Sequence, residues 1–382
     1  MIKKCRVCAN PLFEEPLLEY QNMPGAAQYM PSQDEFKDDR GVDLNICQCS
    51  GCGLVQLNNQ PVPYYREVIR ATSFSEEMTA FRREQFKNFL GDYKLEKKKI
   101  IEVGCGTGHY LSILSEFEVD VRGIEYSPNA VKTCRANGLN VEKGFIEHRT
   151  SRLRAAPFDA FLIMSFLEHL PEPNESLGGI YNNLADNGVG LVEVPNFDMI
   201  MENNLFAEFI GDHLFYFTEA TLKRTLETNG FDVLDCQPVW HDYILSAVVK
   251  KQAVLDLSRF RIHKEKLKKK IENYLNRFPE NTVAIWGAGH QSLAIISLLD
   301  LGDKIRYVVD SATFKQGKFT PATNIPIKAP DILNEDPVDA IIVMAASYSE
   351  EVVSILKEYY SPDINIATLG DLGLEIINQK NN

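Results

Sequence analysis

The stretch KKKIIEVGCGTG, residues 97–108, decides the fold. An apolar run ends in alternating glycines, and a helix-compatible stretch follows. Such a run reads as a buried strand meeting a tight turn. Glycine lets the backbone turn sharply there, and lets a ligand approach with no Cβ in the way. The spacing E-x-G-x-G-x-G, from Glu102 through Gly104, Gly106 and Gly108, differs from the G-x-G-x-x-G of dinucleotide binders. Downstream, VDVRGIEYS (119–127) reads as a strand and NAVKTCRANG (129–138) as a helix. FDAFLIMSF (158–166) and GVGLVEVPN (188–196) read as further strands. This alternation predicts an α/β fold, a parallel sheet with helices on both faces. Glu125 ends the strand after the loop, where a carboxylate can accept both hydroxyls of a ribose.

Loop, acid and strand order together resemble the Rossmann-like domain of class I S-adenosylmethionine (SAM) methyltransferases. The resemblance implies that Glu102, Gly104, Gly106 and Gly108 cup the methionine and ribose ends of SAM. It implies that Glu125 holds the ribose and that Tyr126, Phe145 and Ile146 flank the adenine. The methionine carboxylate would sit near backbone N–H groups at the start of the next helix.

Composition is consistent with such an enzyme. The 382 residues leave room for two or three domains of about 100–200 residues each. No stretch approaches the roughly 20 apolar residues that span a bilayer. The opening MIKKCRVCANPLFEEP lacks the apolar core of a signal peptide. The expectation is a cytoplasmic protein without a membrane partner. A net charge of −13 argues against nucleic-acid binding, which depends on basic groups neutralising phosphates.

Five of the 8 cysteines fall in the first 52 residues. Cys5-x-x-Cys8 and Cys49-x-x-Cys52 can each set two thiolates on one tetrahedral ion, which predicts a closed structural zinc site. Cys47-x-Cys49 is a competing pair; the knuckle shape Cys49-Ser50-Gly51-Cys52-Gly53 favours Cys49. Near the other end, residues 253–278 read as one long helix, with Phe260, Leu267, Ile271, Leu275 and Phe278 on a packed stripe. A second βα pattern opens at TVAIWGAGH (282–290) and runs on through KIRYVVDS (304–311) and VDAIIVMAAS (338–347). Its loop holds Gly287, Gly289 and His290; Asp310 ends its next strand; Lys315 and Gln316 bring donors that suit a diphosphate.

The knuckle followed by Gly53-Leu54-Val55-Gln56-Leu57, the SAM loop and the C-terminal GAGH…KQGK pattern occur in that order. Over nearly the whole chain this resembles the sugar C-methyltransferases that act on nucleotide-linked 4-keto-6-deoxysugars. The resemblance implies removal of a proton from C3, an enolate spread onto the C4 ketone, and attack of carbon on the SAM methyl group. Such chemistry needs a general base and a polar group for the enolate oxygen. Carried onto this sequence, it assigns His213 as the base, Asp212 as the group orienting it, and His169 as its assistant. Glu168 would lie beside the SAM methyl group. Tyr64, or its neighbour Tyr65, would reach in from the N-terminal segment. The family's Tyr-x-Glu-His motif is altered here, with Ile210 in place of the tyrosine and Asp212 in place of the glutamate. Tyr216 and His241 are candidate substitutes, and Asn196, at the end of the fifth strand, is a candidate substrate contact. The C-terminal unit would take the nucleotide of the substrate through Gly289, His290, Asp310, Lys315 and Gln316.

The expected division is a zinc-binding segment 1–74, a SAM domain 75–252, and a linker helix with a second Rossmann-like domain 253–382, in a monomer or homodimer. Methylation of oxygen or nitrogen on a nucleotide sugar, or binding without turnover, remain open alternatives.

Overall fold

The computed structural model describes residues 1–25, 30–67, 75–370 and 373–378. Two compact units divide the chain, residues 1–254 and 255–382. The expected boundary at residue 74 lies outside the described residues.

In the first unit, β1 (Leu18–Met23), β2 (Val42–Gln48) and β3 (Val55–Leu57) form antiparallel pairs. Helix α1 (Glu76–Asp92) follows, and Ser75 caps it by accepting a hydrogen bond from the Met78 amide at 3.1 Å. The central sheet then builds from β4 (Lys99–Val103), α2 (His109–Leu114), β5 (Asp120–Glu125), α3 (Pro128–Ala136), β6 (Val141–Lys143), β7 (Phe158–Met164), α4 (Pro173–Asn183) and β8 (Leu184–Pro195). Next come α5 (Phe197–Glu202), β9 (Phe215–Tyr216), α6 (Glu219–Thr228), β10 (Phe231–Val239) and β11 (Ile244–Lys251). The seven-stranded order is β10-β11-β8-β7-β4-β5-β6. Strands β4 to β8 pair in parallel, and β11 runs antiparallel to β8. The buried runs of β4 and β7 sit at the centre, as continuous apolar strands covered on both faces must. The order reverses beside β4, so the carboxyl ends of β4 and β7 open the crevice where ligands bind such sheets.

Strand β9 leaves the central fold and pairs with β3, completing a sheet ordered β1-β2-β3-β9. Its core joins Leu44, Ile46 and Leu57 to Phe197, Phe209 and Tyr216. The N-terminal segment is therefore stitched onto the unit by backbone hydrogen bonds as well as apolar packing.

The second unit begins with α7 (Ser258–Leu275), shorter than the expected 253–278. Ile271 and Leu275 are buried, but Phe260 is exposed, so the packed stripe occupies only the later turns. The sheet continues with β12 (Val283–Trp286), α8 (His290–Leu298), β13 (Val308–Val309), β14 (Ile327–Lys328), α9 (Ile332–Glu335), β15 (Ala340–Val343), α10 (Ser349–Tyr359), β16 (Asn365–Gly370) and β17 (Gly373–Asn378). Its order is β14-β13-β12-β15-β16-β17, parallel except for β17. Both units are thus wound the same way. Among the described residues, no helix is long and apolar enough to cross a membrane.

Candidate active site

The glycine loop hangs from the end of β4. Gly104, Gly106 and Gly108 all have positive φ, at 71°, 55° and 83°, which only glycine adopts without strain. A Cβ on Gly104 would come within 2.6 Å of the Phe166 ring, whereas one on Gly106 would meet nothing within 4 Å. The loop is packed on one side and open on the other. Glu125 organises it: its carboxylate accepts from the Gly106 amide at 2.9 Å and the Ser127 amide at 2.8 Å. Tyr126, Phe145 and Ile146 stand beside it, and Tyr126 meets Phe145 edge-on at 6.4 Å. Glu102 is fully buried at the end of β4.

A second group gathers where β7 gives way to a short turn, Leu167–His169. The Tyr64 hydroxyl donates to the Asp212 carboxylate at 2.7 Å. The main-chain oxygen of Asp212 lies 2.7 Å from His169 Nδ1. A carbonyl only accepts, so Nδ1 carries the hydrogen. The His169 and His213 rings meet edge-on at 4.8 Å, and His169 Nε2 lies 3.9 Å from Glu168. Burial, and then the charge of His169, push the His213 imidazole down to about 3, so it is neutral at neutral pH. Tyr64, and not Tyr65, therefore reaches Asp212; Tyr65 turns to Phe145 at 6.0 Å. The Asp212 backbone thus orients His169, the expected assistant.

Other expected site residues lie elsewhere. Asn196 caps α5, accepting from the Asp198 and Met199 amides and donating to Asp242 O at 2.7 Å, so its amide serves the fold. The Tyr216 hydroxyl is held by the backbone of Ile210, accepting at 3.1 Å and donating at 3.3 Å, and burial pushes its phenol up. It braces the altered motif rather than replacing the missing tyrosine. His241 is largely exposed on the β10–β11 turn, 3.7 Å from Glu77. Residues 240–242 all have positive φ there.

In the second unit, a Cβ on Gly287 would come within 2.5 Å of Met344 O, so glycine permits the close approach of the segments that leave the parallel strands β12 and β15. Gly289 and His290 are exposed at the start of α8. Asp310 accepts from the Ala288 and Ala312 amides at 2.8 and 2.9 Å and pairs with Lys315 at 2.9 Å. Gln316 donates to Asp310 O at 3.0 Å. Burial raises the Asp310 carboxyl, but Lys315 and these amides outweigh it and hold it below the ordinary carboxylate range. Lys315 and Gln316 thus brace Asp310 rather than project outward.

The sulfurs of Cys5, Cys8, Cys49 and Cys52 all lie within 4.8 Å of one another. Cys5–Cys52 is 3.7 Å and Cys8–Cys49 is 3.3 Å, close to the roughly 3.8 Å edge of a tetrahedron with ~2.3 Å metal–sulfur bonds. Amides of Val7, Gly51 and Cys52 point at these sulfurs, as they do for thiolates. Cys47 turns away toward Asn45 O, so the competing pair does not form. The donor set suits a zinc ion.

Sequence reading missed the buried pair Arg82–Glu193 and the guanidinium of Arg66. Glu193 for Arg82, and Tyr126, Phe145 and Glu147 for Arg66, stand far from them in sequence and leave no local signal.

A glycine-loop sheet of this order with an acid at the end of its second strand defines a SAM-dependent methyltransferase, and comparison with known proteins agrees. Residues 75–235 match the methyltransferase domain family, and residues 250–367 match the C-methyltransferase C-terminal domain family. The two matches set a methyltransferase domain and a C-methyltransferase C-terminal domain in one chain. The chain is 23% identical to C-methyltransferase NovU of Streptomyces niveus over 94% of this chain and 93% of that protein. It is also 33% identical to ubiquinone biosynthesis O-methyltransferase of Xylella fastidiosa, over 21% of this chain and 34% of that one. A SAM-dependent methyltransferase of Clostridium acetobutylicum superposes with TM-score 0.39 at 12% identity, covering 50% of this chain and 96% of its own.

Proposed function

We propose that this C-methyltransferase acts at C3 of a nucleotide-linked 4-keto-6-deoxysugar. The observation that carries the reading is the Tyr64–Asp212–His169–His213 group, set beside the glycine loop through Phe166. His213 takes the C3 proton. Burial disfavours its conjugate acid, so proton transfer becomes favourable only as the enolate's negative charge develops beside it. His169, with its tautomer held by Asp212 O, offers Nε2 to the imidazolium of His213. To steady the enolate, the Tyr64 hydroxyl would turn its one hydrogen from Asp212 to the ketone oxygen. SAM supplies the electrophilic methyl group that the C3 carbon attacks. Glu125 and the glycine loop would hold its ribose and methionine ends, and Glu168 would line the methyl end.

Within the second unit, the Gly287–His290 loop and Asp310 would receive the nucleotide, by the same logic as the first unit's loop and Glu125. Zinc in the four-cysteine site would hold the N-terminal segment folded, and the closed site leaves no position for catalysis. Incubation with a nucleotide-linked 4-keto-6-deoxysugar in deuterated water tests the proton abstraction. The C3 proton should exchange with wild type and not with His213→Asn. Undiminished exchange in that variant removes His213 from the role of base.

A further inference from the structure

We propose that Arg66 is a gate on the cofactor cleft: its guanidinium fills the aromatic box meant for the adenine, and SAM binds only once it has swung out. The inference rests on the reading that Tyr126, Phe145 and Ile146 flank the adenine. Arg66 sits on a short turn of the N-terminal segment, Tyr65–Glu67. Its guanidinium carbon lies 5.0 Å from the centre of the Tyr65 ring and 5.6 Å from those of Tyr126 and Phe145. These are cation–π distances, and they satisfy the ring faces that an adenine would stack on. Glu147 anchors the guanidinium by an ion pair. Arg66 Nε is buried without a hydrogen-bond partner.

The space left between Arg66, Gly104, Glu125, Tyr126 and Phe145 measures about 10 Å³. That is the lower limit for a single water, so no nucleobase enters while the guanidinium is in place. The strands below cannot yield without breaking their ladders, and Phe166 is wedged under Gly104. Arg66 can move, being a long side chain still 31% exposed. Closure lowers the apparent affinity for SAM by the fraction of time the box stands open.

The test is calorimetry and stopped-flow binding of SAM to the full-length protein with Arg66→Ala, Arg66→Lys and Glu147→Gln. Losing three partly exposed cation–π contacts and one surface ion pair should tighten SAM binding by roughly tenfold in Arg66→Ala. The gain should appear in the association rate. Arg66→Lys keeps the charge but not the planar stack and should fall between, and Glu147→Gln, which frees the anchor, should move the same way as Arg66→Ala. Unchanged or weaker binding by Arg66→Ala overturns the gate, since the guanidinium would then be a bystander or a contact to the cofactor. Glu125→Ala separates the two ideas. If it leaves SAM binding intact, the cofactor-site reading itself fails; if it weakens binding while Arg66→Ala does too, only the gate fails.

Discussion

Helix α1 is held to the sheet by a charge pair with almost no access to water. Arg82 Nη1 lies 2.5 Å from Glu193 Oε2, with the side chains 2% and 0% exposed. Gln85 donates to the other Glu193 oxygen at 2.5 Å and to Ser246 Oγ at 3.3 Å. The guanidinium also lies 5.1 Å from the ring of Tyr110, on the helix that follows the glycine loop. Replacing Glu193 by Gln leaves a buried cation without its counter-charge, which costs about 3–5 kcal/mol. Arg82→Met strands the carboxylate at a similar cost. The double variant Arg82→Met, Glu193→Leu removes both charges and should recover most of the loss, because apolar replacement of a buried pair is often neutral. Against a typical stability of about 5–15 kcal/mol, each single variant is a large perturbation. The two tryptophans, Trp240 and Trp286, fall one in each unit, so a Trp286→Phe background makes Trp240 the reporter of residues 1–254. With a urea slope near 3 kcal/mol/M, the midpoint should fall by about 1–1.7 M in each single variant. Single variants within about 0.5 kcal/mol of the parent, or a double variant as damaged as the sum of the singles, would refute the reasoning.

Glu125 makes two charge-assisted bonds to the glycine loop besides its proposed ribose contact, so Glu125→Ala should weaken SAM binding by about 10–100-fold in calorimetry. His213 binds its proton near pH 3 when folded and near 6.5 when unfolded, so stability present above pH 6.5 is lost as the pH falls toward 3. His213→Gln should flatten that fall by up to about 5 kcal/mol in denaturation curves taken across this range, and an unaltered slope would contradict the burial of a neutral imidazole. Metal analysis of Cys49→Ser should show zinc lost, while Cys47→Ser keeps it, because only Cys49 faces the other three sulfurs.

The central architecture was legible because its signals are local. The strand ending in Gly104, Gly106 and Gly108 and the acid at Glu125 follow from residues a few places apart. The two C-x-x-C pairs carried their own geometry as well, and the choice of Cys49 over Cys47 needed only the knuckle shape. What was not legible depends on where distant segments meet. The pairing of β3 with β9 joins residues 55–57 to 215–216, and nothing in either stretch names the other. Arg82 and Glu193 read as an ordinary helix charge and a strand acid. Asn196 is a different kind of miss: an asparagine just before Phe197-Asp198 is a helix-cap signal, and its position at a strand end drew attention to ligands instead. Tyr216 reads in the sequence as a spare hydroxyl, and the fold commits that hydroxyl to the backbone of Ile210.

The most direct test of the central claim is the fate of the methyl group. A nucleotide-linked 4-keto-6-deoxysugar is incubated with the protein and SAM labelled with carbon-13 at the methyl carbon, and the product is read by carbon NMR. The account predicts a methyl carbon bonded to C3, seen as a carbon–carbon correlation, and absent with His213→Asn. A label appearing as an O-methyl or N-methyl signal would contradict it.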